Sequence, residues 1–183
     1  MSRRIGVLLL MLVSAAAHAQ TGYKLDFRIK GLKDTTAFLA YYDRNETFLR
    51  DTAKVNSQGV FTFEGAKPLL QGVFMVVLDK TPVLQFVIGL DQRFSMETDK
   101  EDYSKHMVVT GDEDNKLFFE NANFLAQKYK EADPYVKILR DSTLKEEQKR
   151  EAREQFKKIS QDVTVFHNDL IAKHPATFTA RFL

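Results

Sequence analysis

The sequence predicts an α+β fold: an N-terminal antiparallel β-sandwich or barrel-like sheet of about eight strands, followed by a C-terminal helical hairpin. Two patterns carry that reading. From residue 23 to about residue 110, apolar positions recur with a period of two, and turn residues return about every eight to twelve positions. From Gly111 onward the apolar spacing becomes three and four, that of one helix face. No helical stretch separates the strands, which points to antiparallel pairing through short turns.

Residues 23–30 alternate strictly, Tyr, Leu, Phe and Ile against Lys, Asp, Arg and Lys, which predicts a half-buried strand closed by Gly31. A second strand is expected over residues 36–42 and a weaker third over 48–55, carrying Leu49, Thr52 and Val55. Asn56-Ser57-Gln58-Gly59 reads as a hairpin turn, Gly59 supplying the positive φ that such turns demand. Val60-Phe61-Thr62-Phe63 then runs to Gly65. Residues 72–78 are almost wholly apolar, as in a strand covered on both faces. Thr81-Pro82 is expected to break that run, with strands resuming over 83–88, 93–98 and 106–110.

In the second half, Asp112, Asp114 or Asn115 is placed to cap a helix that runs to about Ala132 and stops at Asp133-Pro134. Its apolar face is Leu117, Phe118, Phe124, Leu125 and Tyr129, with Asn121 among them. Thr143 and Glu146 form a capping-box pattern opening a helix of about thirty residues that ends before Pro175. Ala152, Phe156, Ile159, Val163, Phe166 and Leu170 make its stripe, a narrow coiled-coil-like seam. The expected domains are a signal peptide over 1–19, the sandwich over 20–110 and the helical region over 111–183.

Composition excludes whole classes of function. The 183 residues are 44% hydrophobic with 15 Phe, enough apolar matter for a packed core and too much for a disordered chain. There is no Cys, so thiol nucleophiles, thiolate metal sites and redox CxxC pairs are ruled out. Arg3 and Arg4 precede an apolar run at residues 5–13, and Ala17-His18-Ala19 provides small residues at a cleavage site. That is the pattern of a secretory leader cut before Gln20, and about nine apolar residues are too few to span a bilayer. No Cys follows the run, so a lipoprotein anchor is not expected. The expected location is therefore exported, periplasmic or extracellular and soluble, with no transmembrane anchor after cleavage. Losing the leader's two arginines leaves 25 basic against 25 acidic side chains. A neutral chain lacks the basic surface that nucleic-acid binding needs.

Four groups of residues are candidates for chemistry. Asp112-Glu113-Asp114-Asn115 offers oxygen ligands on a turn, but lacks the Gly and distal Glu of an EF-hand loop, and helix capping is the favoured role. His167 and His174 stand seven apart, about 10.5 Å along a helix, too far to share one ion; His106 is remote in sequence, and no metal site is expected. The strand carboxylates Asp26, Glu64, Asp79 and Glu97 would need to converge in pairs to act as a glycosidase dyad, and alternation places most of them facing solvent. The signatures GxSxG, SxxK and the phosphate-binding glycine loop are absent. Among the aromatics Phe38, Tyr41, Tyr42, Phe48, Phe61, Phe63, Phe74 and Phe86, most are expected in the core. Tyr42 is the best exposed candidate, because it must point opposite to Tyr41.

Several segments in one order carry a family likeness: YKLDFRIKGLKDTTAFLAYYD, FLRDTAKVNSQGVFTFEG, GVFMVVLD, FVIGLDQRFSMETD and VVTGDEDNKLFF. They resemble the uncharacterised β-rich N-terminal domain, with its following helical region, of exported bacterial thioredoxin-like thiol–disulfide oxidoreductases. In that family a thioredoxin domain with a CxxC pair follows, whereas this sequence has no Cys. The resemblance therefore implies the accessory part alone, with no enzymatic activity, catalytic residue or cofactor of its own. A protein partner with a thioredoxin-like domain is the implied associate. Phe178, Phe182 and Leu183 make the C-terminal end apolar; they suggest a docking tail, a truncated product of a longer oxidoreductase, or a tail folded back on the helices. Expected contact residues are thus Tyr42, Phe178, Phe182 and Leu183. The alternative is a stand-alone sandwich binding a glycan or peptide.

Overall fold

The computed structural model describes residues 22–44 and 46–183. The leader expected at 1–19 and its cleavage point at Gln20 lie outside the described residues. Eight strands are present: β1 (Tyr23–Lys30), β2 (Thr36–Asp43), β3 (Glu46–Lys54), β4 (Val60–Gly65), β5 (Gly72–Leu78), β6 (Thr81–Ile88), β7 (Arg93–Asp99) and β8 (Val108–Thr110). Three helices follow: α1 (Glu113–Arg140), α2 (Glu146–Lys173) and α3 (Phe178–Phe182). The strands form two sheets, ordered β4-β1-β7-β8 and β3-β2-β5-β6. The α+β architecture and the helical hairpin are those the sequence predicts.

Alternation decides what lies between the sheets. Leu25, Phe27 and Ile29 of β1 point inward and are essentially inaccessible, as are Phe63, Leu39, Val76 and Phe86. Phe27 stacks on Phe61 at 5.2 Å between ring centres and meets Phe86 of the other sheet edge-on at 5.4 Å. Offset and edge-to-face rings at these separations gain about 1 kcal/mol beyond area burial. The aromatics Phe61, Phe63, Phe74 and Phe86 are thus core, as expected. The Asn56–Gly59 turn forms as predicted: the Asn56 Oδ1 accepts from Gln58 and Val60 amides, and Gly59 has φ 78°. A methyl at Gly59 would collide with the Ile29 carbonyl oxygen, so glycine is required twice over.

Several boundaries differ from expectation. One pairing is parallel: β1 lies beside β7 with Leu25 opposite Phe94. The chain leaves β1 for the other sheet, so no tight hairpin imposes an antiparallel partner there. Thr81-Pro82 does not interrupt the strand. The register shifts between Val76 and Val77, and β6 runs from Thr81 along a sheet edge, where proline's missing N–H costs no ladder bond. His106 lies in the turn before β8, which begins at Val108. Pro134 sits inside α1, which continues to Arg140. Its exposed position leaves the freed carbonyl four residues back to water. Asp133 pairs with Lys137 at 2.6 Å, and Tyr135, Val136 and Leu139 are half-buried beyond the proline. Packing outweighs propensity there. Finally, α2 opens at Lys145 instead of Thr143: the Gln148 Oε1 accepts from the Lys145 amide, while Thr143 is held by Asp141.

The two outer faces contrast. On the first sheet, Arg28 and Lys30 pair with Glu97, and Thr62 donates to Asp26. On the second, the outward residues are Phe38, Ala40 and Tyr42 of β2, Leu49 of β3, and Met75 and Val77 of β5; Tyr42 and Leu49 are exposed, Phe38 and Val77 half-buried, and Ala40 and Met75 buried. The register places Ala40 between Leu49 and Met75. α1 fastens to the sandwich along β6 and the β7–β8 loop: Asn115 bonds to Val87, and eight residues on, Asn123 bonds to Ser104.

Candidate functional site

The residues singled out for chemistry are, in the structure, the fastenings of the fold. Asp112 is the N-cap of α1, its Oδ2 accepting from the Asn115 amide at 2.9 Å and from Asn115 Nδ2 at 2.5 Å. Asn115, with no exposed surface, then grips the edge of β6 from the side: its Oδ1 accepts from the Val87 amide at 2.8 Å, and its Nδ2 donates to the Val87 carbonyl at 2.7 Å. A side-chain amide here replaces the missing neighbour strand. Asp114 reaches 65 residues along the chain: its Oδ1 accepts from the Thr179 amide and its carbonyl from the Thr179 hydroxyl. That clasp holds α3. Burial pushes the Asp112 carboxyl pKa up, with the Asn115 hydrogen bonds opposing the shift.

The other candidates are dispersed. His106 meets Asp99 at 2.8 Å, His167 meets Asn121 at 2.9 Å and His174 meets Glu113 at 2.7 Å. The His106 contact holds the Asp99 carboxyl below its ordinary range. Among the described residues no three His, Asp or Glu side chains are grouped to hold a metal ion. Of the strand carboxylates, Asp26 and Glu97 are engaged on the first sheet's outer face, and Asp79 stands in the β5–β6 turn of the other sheet.

The four expected contact residues separate into two places. Tyr42 is 49% exposed at the end of β2. Phe178 and Phe182 stack on each other on α3 at 6.2 Å, and Phe182 is 56% exposed. Leu183 is folded back: it packs with Phe166 on the cluster of Leu117, Leu170 and Ala180. α3 packs on α1, α2 and β6, whereas Tyr42 stands two strands from β6. Tyr42 instead shares the outer sheet face with a groove of 290 Å³ lined by Phe38, Ala40, Thr47, Leu49, Val77 and Lys80. Leu49 is 63% exposed there. This apolar face is the structure's candidate contact surface, and sequence reasoning missed all of it except Tyr42. The available signal was the unbroken apolar run of β5, whose outward half had to meet something.

Fold and surface together define a two-sheet β module with an appended helical hairpin, whose polar clusters serve its architecture. Residues 23–124 match the model of a domain of unknown function, DUF4369, and the chain belongs to that family. The match extends into α1, so it takes in the Asp112–Asn115 fastening. No curated protein matches the chain. Among the described residues no helix is long and apolar enough to cross a membrane.

Proposed function

We propose that the chain is a non-enzymatic, exported accessory module that positions a partner or substrate, and that the partner carries a thioredoxin-like domain. The observation that supports this most is the apolar outer face of the β3-β2-β5-β6 sheet. Leu49, Phe38 and Val77 surround a groove there, while the opposite sheet's outer face carries Arg28 and Lys30 paired with Glu97. Contiguous exposed apolar surface of this kind marks interaction sites. The sequence likeness to the N-terminal part of envelope thiol–disulfide oxidoreductases supplies the kind of partner.

Titration of the isotope-labelled chain with a purified exported thioredoxin-like protein tests the reading. Shift changes should gather on β2, β3 and β5, and Leu49→Glu with Val77→Lys should abolish them. Reduction of insulin disulfides by the chain alone, or binding that ignores both substitutions, contradicts it. A second reading, a sandwich that binds a glycan or peptide, is favoured by the exposure of Tyr42 beside the same groove. It requires Tyr42→Ala to remove binding seen on a glycan or peptide array.

A further inference from the structure

At the end of the sandwich opposite the Asn115 fastening, three connections meet: β1–β2, β5–β6 and β7–β8. They enclose a cleft of about 470 Å³ lined by ten residues. That volume is within the range of small-molecule sites. Its floor is apolar, with Leu32 and Leu78 buried and Val83 and Tyr103 partly buried and packed on the core. Its rim carries Lys33 and Lys100 against a single acid, Asp79. Neither lysine ammonium has a hydrogen-bond or ion-pair partner among the described residues. The Lys100 stem lies beside Gly31, where an added methyl would touch its Cδ at 3.6 Å. Asp79 and Lys80 both adopt positive φ, 48° and 67°, as the two-residue β5–β6 turn requires.

Burial pushes the Tyr103 phenol pKa up, so the hydroxyl remains protonated and able to donate at neutral pH. Two lysines and a tyrosine thus stand against one acidic residue in the lining, beside the apolar Leu32, Leu78 and Val83. A ligand with complementary chemistry has one negative head and an apolar body.

We infer that this cleft binds a small organic monocarboxylate, its carboxylate between Lys33 and Lys100 and its aliphatic or aromatic body against Leu32, Val83 and Tyr103. The site is independent of the apolar sheet face and of the partner proposed for it. Two lysines are used as point charges, so affinity should fall with salt.

The test is a chemical-shift titration of the full labelled chain with 3-phenylpropionate and with hexanoate. 3-Phenylpropanol serves as the neutral control and inorganic phosphate as the control for a bare anion. Saturable shifts at Gly31, Leu32, Thr35, Thr81 and Tyr103 with the carboxylates are expected. Lys33→Gln with Lys100→Gln should weaken them at least about tenfold, the usual worth of a charge-assisted contact. The same change at Lys116 and Lys130, remote lysines of α1, should leave binding intact. Equal response to the alcohol or to phosphate overturns the inference. So do the absence of saturation, shifts centred elsewhere, and a double variant that binds as well as the parent.

Discussion

The two ends of the sandwich are built on opposite plans. At the end where β6 and β8 finish, the buried polar side chains are committed: Asp112 caps, Asn115 grips Val87, Asp114 clasps Thr179, and Gly89 leaves room for the Asp114 carboxylate. At the other end, loops surround a cleft and two lysines are uncommitted. The sequence marks the first end as the chemically suggestive one, because acids cluster there. The structure teaches the reverse. Clustered acids next to a helix start are consumed by orphan amides, and the groups free to meet a ligand sit where nothing in the local sequence draws the eye.

Substitutions should separate the ends by the size of their effect. Asn115→Ala removes both partners of the Val87 backbone groups inside a dry site. It should cost about 3 kcal/mol in urea unfolding, since each buried group left unsatisfied costs about 1–3 kcal/mol. A loss under 1 kcal/mol would mean that water enters this end. Gly89→Ala should come next, at about 2 kcal/mol. Its methyl displaces the Asp114 carboxylate, so the Thr179 amide should lose its protection from hydrogen exchange.

Tyr23 ties the β4-β1-β7-β8 sheet to β3, donating to Asp51 at 2.7 Å. Burial and then that hydrogen bond push its pKa up to about 12. A raised value means that the stabilisation is whole below pH 10 and lost as pH rises from 10 towards 12. Absorbance titration should show Tyr23 and Tyr103 ionising late, and Tyr23→Phe should remove one of the two late steps at a cost of about 1 kcal/mol.

Asp112 obeys the same sign at the acid end. Its folded pKa is raised, so its contribution is full below pH 3.8 and declines as pH climbs through the raised value. Asp112→Asn keeps an acceptor for the two Asn115 donors and should flatten that slope, while Asp112→Ala should cost about 1 kcal/mol for the lost cap. The smallest effects belong to the open end. Lys33→Gln and Lys100→Gln should change stability by less than about 0.5 kcal/mol. Asp99, lowered by His106, contributes above its unfolded pKa and loses that contribution as pH falls through the lower folded value.

Much of the architecture was readable residue by residue. β1 and β5 fall on the predicted spans because alternation and Gly boundaries are local signals. Pro134 misled for a physical reason: the proline rule describes an isolated helix, and half-buried Tyr135, Val136 and Leu139 hold the last turns together against that cost. The parallel β1–β7 pairing, the Asp114–Thr179 clasp and the cleft of Lys33, Lys100 and Tyr103 join positions far apart in sequence, where periodicity carries no information. Tyr42 was visible because neighbouring residues on a strand must face opposite ways. Leu49 and Val77 were not, since an apolar strand residue looks the same whether it faces core or water.

Native-state hydrogen exchange measured amide by amide tests the division between the ends most directly. The Val87, Asn115 and Thr179 amides should exchange only through global unfolding, with the full unfolding free energy, while those of the loops at 31–35 and 100–106 exchange through small local openings. Equal protection at both ends, or early opening of Val87 and Thr179, would contradict the account.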